Sequence, residues 1–213
     1  MISEFNKIKE LFKEINDNLE SKIEIFIIGG AVLLYHSLKP STKDIDIVIE
    51  SKTKFIEFEK ALKKAGFKTK ETSIEYKNLN LNYIFEKEDF QIDLFHKKVC
   101  SKFYLSPHME KRAEKIINLS NISVFLCSKE DIFLFKTMTD REGDLDDCIS
   151  LSTSGLNWDT IYNELLFQIK ESGKDIWITW VGERLNLLEE RGLNIPILSK
   201  VNVLAEEYYK KLV

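Results

Sequence analysis

Arginine, proline and cysteine are scarce in this chain of 213 residues. Only four of its 31 basic residues are arginines, which argues against a nucleic-acid reader built on many bidentate arginine contacts. Three prolines, together with 44% hydrophobic residues, argue against a disordered chain. The three cysteines form no Cys-x-x-Cys pair and no cluster with histidine, so they indicate neither a disulfide framework nor a structural zinc site. Reduced thiols of a cytoplasmic protein are the prediction.

Long hydrophobic runs are also missing. The longest apolar stretch, residues 25–35, contains two glycines and is shorter than the roughly 18 residues that a membrane span needs. The charged, amphipathic N-terminal segment does not resemble a signal peptide. A net charge of −4 argues against a strongly basic nucleic-acid binder. We therefore expect a soluble protein without a membrane partner.

The hydrophobic periodicity predicts an α/β (α+β) fold, a mixed β-sheet with flanking helices followed by a C-terminal helical bundle. We expect one domain over residues 1–105 and a mainly helical domain over 106–213. Strands are predicted over 24–28, 45–49, 79–85, 90–95 and 121–126. Helices are predicted over 3–18, 31–38, 55–65, 108–116, 129–152, 158–170, 174–190 and 196–211.

Acidic residues mark two of the predicted strands. Asp44 and Asp46 alternate with isoleucines, so they project from one strand face, about 7 Å apart along the backbone. Asp93 lies on a second strand, and if the two strands are neighbours the three carboxylates converge. Their mutual repulsion would be relieved by a bound cation, and oxygen ligands favour Mg²⁺ or Mn²⁺. Solvent-exposed acids on a half-buried strand are the alternative interpretation.

Gly29 and Gly30 stand between a predicted buried strand and a predicted helix. Glycines there allow the backbone to approach a phosphate, and the helix N-terminus offers N–H groups to it. A simple turn is the alternative. Magnesium held by one or two carboxylates commonly completes its coordination with water and substrate phosphates.

The order Gly29-Gly30, Asp44-x-Asp46 and Asp93, within residues 22–96, resembles the nucleotidyltransferase superfamily with its DNA polymerase β-like fold. The resemblance implies a minimal nucleotidyltransferase core in the first domain. It also implies that Asp44 and Asp46 hold two metal ions, and that Asp93 holds the catalytic one and helps to deprotonate the attacking hydroxyl.

A second acidic motif lies in the helical half, where Lys136, Asp140 and Asp144 follow at i, i+4 and i+8 of one predicted helix. The motif, with Arg141, resembles a helix of AbiE-type toxin nucleotidyltransferases. The resemblance implies that Lys136 touches the triphosphate and that Asp140 or Asp144 positions groups in the nucleotide site. Arg141 would bind phosphate or pair with its acidic neighbours. A solvated face with surface ion pairs is the alternative interpretation.

These residues predict a metal-dependent enzyme that transfers a nucleoside monophosphate from an NTP to a hydroxyl acceptor. The acceptor stays open between a tRNA, a small molecule and a protein side chain. A toxin role, with an antitoxin partner, follows from the AbiE-type resemblance alone. The alternatives are a catalytically silent binding protein with this fold and a D-x-D glycosyltransferase.

Overall fold

A computed structural model describes residues 1–70, 83–99 and 102–212 of the protein. The first part of the predicted strand 79–85, and Cys100, lie outside these ranges. The chain divides into two compact units, Met1–Ser128 and Lys129–Val213. Within the described ranges, every helix is too short or too polar to cross a membrane.

The first unit is built on one mixed sheet whose described strands run in the order β3-β4-β5-β2-β1-β7-β6. Strands β2 and β5 are parallel, β1 and β7 are parallel, and β1 runs antiparallel to β2. The strands are β1 (Ile23–Ile28), β2 (Ile45–Ile49), β3 (Lys68–Thr69), β4 (Ile84–Lys87), β5 (Phe90–His96), β6 (Glu114–Asn118) and β7 (Ile122–Leu126). The central strands are apolar and almost fully buried, as expected of strands covered on both faces.

Four helices lie in the described part of this unit, and their apolar positions recur at helical spacing. In the first, Ile8, Leu11, Phe12 and Ile15 are buried while the intervening lysines and glutamates face solvent. The helices are α1 (Phe5–Asn16), α2 (Gly30–Tyr35), α3 (Lys52–Lys64) and α4 (Pro107–Arg112). Ser51 caps α3 and Ser106 caps α4, each accepting a hydrogen bond from a backbone N–H of the first turn.

The mixed α+β architecture is confirmed, and two local expectations differ from the structure. Residues 114–118, predicted partly as helix and partly as connector, form β6, which pairs with β7. Because this hairpin completes the sheet, the first unit extends to Ser128, beyond the boundary expected after residue 105. The exposed and mixed side chains of β6 give little strand periodicity, as is usual at a sheet edge.

The second unit is helical, as predicted. Its described helices are α5 (Lys129–Thr137), α6 (Glu142–Ser152), α7 (Trp158–Ser172), α8 (Trp177–Glu190) and α9 (Leu198–Lys210). The prediction of one helix over 129–152 is wrong, because the chain leaves the helix after Thr137 and re-enters it at Glu142. The hydroxyl of Thr137 donates to the carbonyl of Leu134, a bond that competes with helix continuation.

Candidate active site

Two of the predicted carboxylates meet on neighbouring strands. In the parallel register of β2 and β5, Asp46 lies opposite Asp93, and Ile28 at the end of β1 lies on the other side of Asp46. Register partners on adjacent strands project to the same sheet face, so both carboxylates share one face. Asp93 is 4% exposed, whereas Asp46 is only partly buried. The pair therefore joins a buried carboxylate to one that solvent or a ligand can reach.

The backbone at Gly29 lies in close contact with the Asp46 carboxylate. Its φ of 68° and ψ of −145° belong to a backbone region that residues other than glycine rarely adopt. A Cβ at this position would lie 2.1 Å from Oδ2 of Asp46, inside the carboxylate oxygen itself. Only glycine can therefore bring the turn between β1 and α2 this close to the carboxylate. The close approach fits the predicted phosphate-binding turn beside an acidic pair.

Thr42 holds the chain that leads into β2. A Cβ on Gly30 would lie 2.5 Å from the Thr42 hydroxyl, which in turn donates to the carbonyl of Asp44 at 3.0 Å. The Thr42 backbone exchanges two hydrogen bonds with Ile2, at 2.8 and 2.9 Å, and both residues are buried. The N-terminal segment thus fixes the approach to Asp44, which lies half-buried just before β2.

The carboxylate of Asp93 is fixed by an amide. Nε2 of Gln91, two residues earlier on β5, donates to Oδ1 of Asp93 at 2.9 Å. Oε1 of the same glutamine accepts from the ammonium of Lys70 at 3.2 Å, and Lys70 also pairs with Glu86 at 2.6 Å. A chain of polar contacts therefore runs from an exposed ion pair to the buried carboxylate.

The carboxylate oxygens fit a magnesium site in which substrate phosphates supply some of the ligands. In the described ranges, no group of three or more His, Cys, Asp or Glu side chains stands ready to hold a metal ion. The register pairs Asp46 with Asp93, and metal binding by these two residues and by Asp44 stays a prediction. Mg²⁺ is commonly bound through one or two carboxylates plus the phosphates of a substrate, so a pair of oxygen ligands beside a glycine turn suits it.

The second motif forms a buried ion cluster inside the helical unit. Nζ of Lys136 lies 2.7 Å from Oδ1 of Asp144 and 2.7 Å from Oδ2 of Asp147. The three side chains are only 8%, 5% and 10% exposed. The hydroxyl of Thr139 and Nε of Arg141, the latter at 2.8 Å, donate to Oδ2 of Asp144. The interpretation as a solvated face is therefore wrong for Lys136 and Asp144.

The helix break explains this arrangement. Asp144 lies in the first turn of α6 and Lys136 in the last turn of α5, so they meet across the break and not along one helix face. Asp140 lies in the connection and is exposed, and the side chain of Arg141 is 74% exposed. A nucleotide-binding role for Lys136, Asp140, Arg141 and Asp144 stays a prediction.

The cluster shifts the pKa values of its members in opposite directions. Burial alone would lower the pKa of Lys136, but the charges of Asp144 and Asp147 outweigh it and raise that pKa. Burial would raise the pKa of Asp144, but Lys136 and its other donors bring that pKa below the usual value. Burial raises the pKa of the neighbouring Cys148 thiol to about 12, so this cysteine is inert at neutral pH.

The family of the chain follows from its sequence. Residues 3–179 match the family described as "Nucleotidyltransferase of unknown function (DUF6036)". Because the match spans most of the chain, the protein belongs to this nucleotidyltransferase family. No curated protein sequence matches the chain.

Two solved structures show what the chain is similar to. One is ANT(2")-Ia in complex with adenylyl-2"-tobramycin, with 12% identity, a TM-score of 0.48, and coverage of 74% of this chain and 92% of that one. The other is JHP933 from Helicobacter pylori, with 17% identity, a TM-score of 0.45, and coverage of 100% of this chain and 95% of that one.

Three residues that contact the predicted site residues or the glycine turn were not themselves predicted. Gln91 shares a strand face with Asp93, so the period-2 pattern was an available signal for it. Asp147 lies one helical turn after Asp144, but its pairing with Lys136 depends on the helix break. Thr42 acts through a hydroxyl that packs on Gly30, and no local sequence pattern indicates such a contact.

Proposed function

We propose that this protein is a Mg²⁺- or Mn²⁺-dependent nucleotidyltransferase that transfers a nucleoside monophosphate from an NTP to a hydroxyl and releases pyrophosphate. The single observation that carries the proposal is the pairing of Asp46 with Asp93 beside the Gly29 turn. Family membership supports the class of reaction. The carboxylates and the turn support the metal and the nucleotide.

Each residue has a distinct task in this proposal. Asp46 and Asp93, with Asp44 from the start of β2, would hold divalent ions. Bound there, such ions would neutralise phosphate charge and stabilise the attacking and leaving oxygens. Gly29 and Gly30 let the backbone approach the phosphates at the N-terminus of α2. Asp93, the buried member of the pair, would accept the proton of the attacking hydroxyl.

The acceptor and the biological role complete the proposal. The acceptor carries a free hydroxyl, on a tRNA, a small molecule or a protein side chain. The AbiE-type resemblance of residues 129–151 supports a toxin whose activity an antitoxin partner restrains. Lys136, Asp140, Arg141 and Asp144 would then support the nucleotide site.

The test is a labelling experiment with α-³²P-labelled NTPs. Each NTP is incubated with the protein, Mg²⁺ or Mn²⁺, and one acceptor pool at a time: cellular RNA, cellular protein or a set of polyhydroxyl compounds. We expect label in one pool together with pyrophosphate release. Asp46→Asn and Asp93→Asn should each lower the rate roughly 1,000-fold, because a lost metal ligand removes several kcal/mol of charge stabilisation.

Asp89→Asn is the matched control, since Asp89 is an exposed carboxylate in the β4–β5 turn. This variant should label the acceptor at the wild-type rate. Equal labelling by the wild type and by Asp46→Asn would overturn the proposed mechanism. A protein that shows no metal-dependent NTP affinity by calorimetry would instead be a silent member of the family.

A further inference from the structure

We infer that Gln91 is the positioning residue for Asp93, and that Lys70 holds the opposite end of the Gln91 amide in place. This inference rests on the proposed function, in which Asp93 is a metal ligand. It assigns a task to a neutral side chain on β5 and to an exposed lysine that follows β3.

The direction of the hydrogen bonds follows from the chemistry of the partners. An ammonium group can only donate, so the oxygen of the Gln91 amide must face Lys70, at 3.2 Å. The amide nitrogen is then forced to face Asp93, whose Oδ1 accepts at 2.9 Å. A carboxylate can only accept and an ammonium can only donate, so both partners favour the same orientation of the amide and hold it from its two ends.

The consequence for Asp93 is a fixed carboxylate rotamer. Oδ1 accepts the hydrogen bond of the Gln91 amide, which restricts the rotation of the carboxylate. Groups that hold a metal ligand in this way raise metal affinity by reducing the freedom lost on binding, and their removal commonly costs 10–100-fold. Gln91 is therefore placed where a small change in geometry alters metal binding without removing a ligand.

Lys70 also forms an ion pair, which restricts the position of its ammonium group. Its ammonium pairs with Glu86 at 2.6 Å, and Glu86 is the register partner of Gln91 on β4. The three side chains therefore stand on two adjacent strands of the sheet and the segment just after β3. Both Lys70 and Glu86 have side chains more than 40% exposed, so their pair alone contributes little stability. Its value lies in holding the amide.

The test is a double-mutant cycle read by Mn²⁺ binding, followed by electron paramagnetic resonance of the free ion. Gln91→Met keeps the length of the side chain and removes both hydrogen bonds. We expect it to weaken Mn²⁺ binding about 10-fold with an unchanged melting temperature. Lys70→Met should weaken binding about 3-fold in the wild-type background and not at all in Gln91→Met, because its effect passes through the amide.

Two further variants separate orientation from charge. Lys70→Arg keeps a donor-only cation and should restore most of the affinity. Lys68→Met removes an exposed lysine two residues away on β3 and should leave Mn²⁺ binding unchanged. In the labelling assay, a high Mn²⁺ concentration should recover most of the rate that Gln91→Met loses, which a damaged fold would not allow.

The outcomes distinguish this inference from the function on which it rests. Wild-type affinity in Gln91→Met, together with lost affinity in Asp93→Asn, would overturn the inference and leave the proposed function standing. Additive effects of Lys70→Met and Gln91→Met would overturn the role of Lys70. A wild-type protein that binds no Mn²⁺, alone or with an NTP, would overturn both proposals.

Discussion

Paired aspartates occur in both units of this protein, and they differ in how their charge is compensated. In the helical unit, Asp144 and Asp147 close on the ammonium of Lys136 and are almost completely buried. In the sheet unit, Asp46 stands opposite Asp93, is partly open to solvent, and touches a turn that only glycine can form. The first arrangement supplies its own cation. The second lies beside the Gly29 turn, and the neutral Gln91 amide donates to its buried member.

This difference predicts a structural role for the buried cluster and, under the proposed function, metal binding by the pair on the sheet. A buried carboxylate with several donors contributes to the fold, and its partner cannot be removed cheaply. The pair on the sheet joins a buried carboxylate to a partly exposed one, and in the proposed function it binds a metal ion. Measuring the free energy of unfolding and Mn²⁺ binding in the same variants tests this contrast between the two pairs.

The largest stability change is expected for Lys136→Met. Removal of the ammonium leaves two buried carboxylates without their main partner, which costs about 3–5 kcal/mol in the free energy of unfolding. Urea denaturation at pH 7 measures it. Lys170→Met, an exposed lysine on α7, is the control and should change the free energy by less than about 0.5 kcal/mol. A loss below about 1 kcal/mol would contradict the structural role of the cluster.

Gly29→Ala comes next. The new Cβ would occupy the position of the Asp46 carboxylate, and the positive φ adds backbone strain, so we expect a loss of about 2–3 kcal/mol. Mn²⁺ affinity should fall as well, because Asp46 must move. Gly143→Ala is the control, since nothing lies within 4 Å of its Cβ and alanine favours the helix. Equal stability of both variants would show that Gly29 is an ordinary turn.

Thr42→Val should cost about 1 kcal/mol, since the isosteric side chain loses one hydrogen bond to the Asp44 carbonyl. The rate of nucleotidyl transfer should fall several-fold, because the approach to Asp44 loosens. Thermal unfolding and the labelling assay measure the two effects. Thr53→Val, at an exposed position of α3, is the matched control and should change neither.

The pH dependence of stability tests the charge compensation in the helical unit. The pKa of Asp144 is lowered from 3.8 in the folded protein, so its stabilising contribution is present above that pH and is lost as the pH falls through the folded value. The stability difference between the wild type and Asp144→Asn should therefore be largest near neutral pH and shrink below about pH 4. Urea unfolding over pH 3–7 measures it. A constant difference would mean that Asp144 does not titrate with folding.

The smallest stability effect is expected for Asp46→Asn. The substitution relieves repulsion with Asp93 and keeps the shape of the side chain, so the free energy of unfolding should change by less than about 1 kcal/mol. Mn²⁺ binding should nevertheless be lost. Urea unfolding and Mn²⁺ titration of the same preparation check the contrast. A large loss of stability would place Asp46 with the structural aspartates of the helical unit.

Much of the sheet unit could be predicted from the sequence. The apolar run before Gly29, and the isoleucines that alternate with Asp44 and Asp46, identify β1 and β2, because burial on both faces or on one face leaves a direct pattern. The edge strand β6 was missed because its side chains are mixed and its pairing is non-local. A boundary inferred from composition therefore falls too early.

The helical cluster shows the opposite case. The spacing of Lys136, Asp140 and Asp144 suits one continuous helix, and only the break at residues 138–141 selects Asp144 and Asp147 as the partners of Lys136. At the break the Thr137 hydroxyl donates to the Leu134 carbonyl and the Thr139 hydroxyl donates to Asp144, and helix periodicity does not reveal these contacts.

The sequence by itself determined which strands are buried, where the glycine turn falls and which residues carry carboxylates, since these depend on local pattern. The tertiary structure decided which of those carboxylates meet. Strand register places Asp46 opposite Asp93, and the packing of the sheet brings Gly29 into contact with Asp46. The break between α5 and α6 allows Lys136 to pair with two aspartates. Register and packing join residues far apart in the chain, and so the local patterns do not contain them.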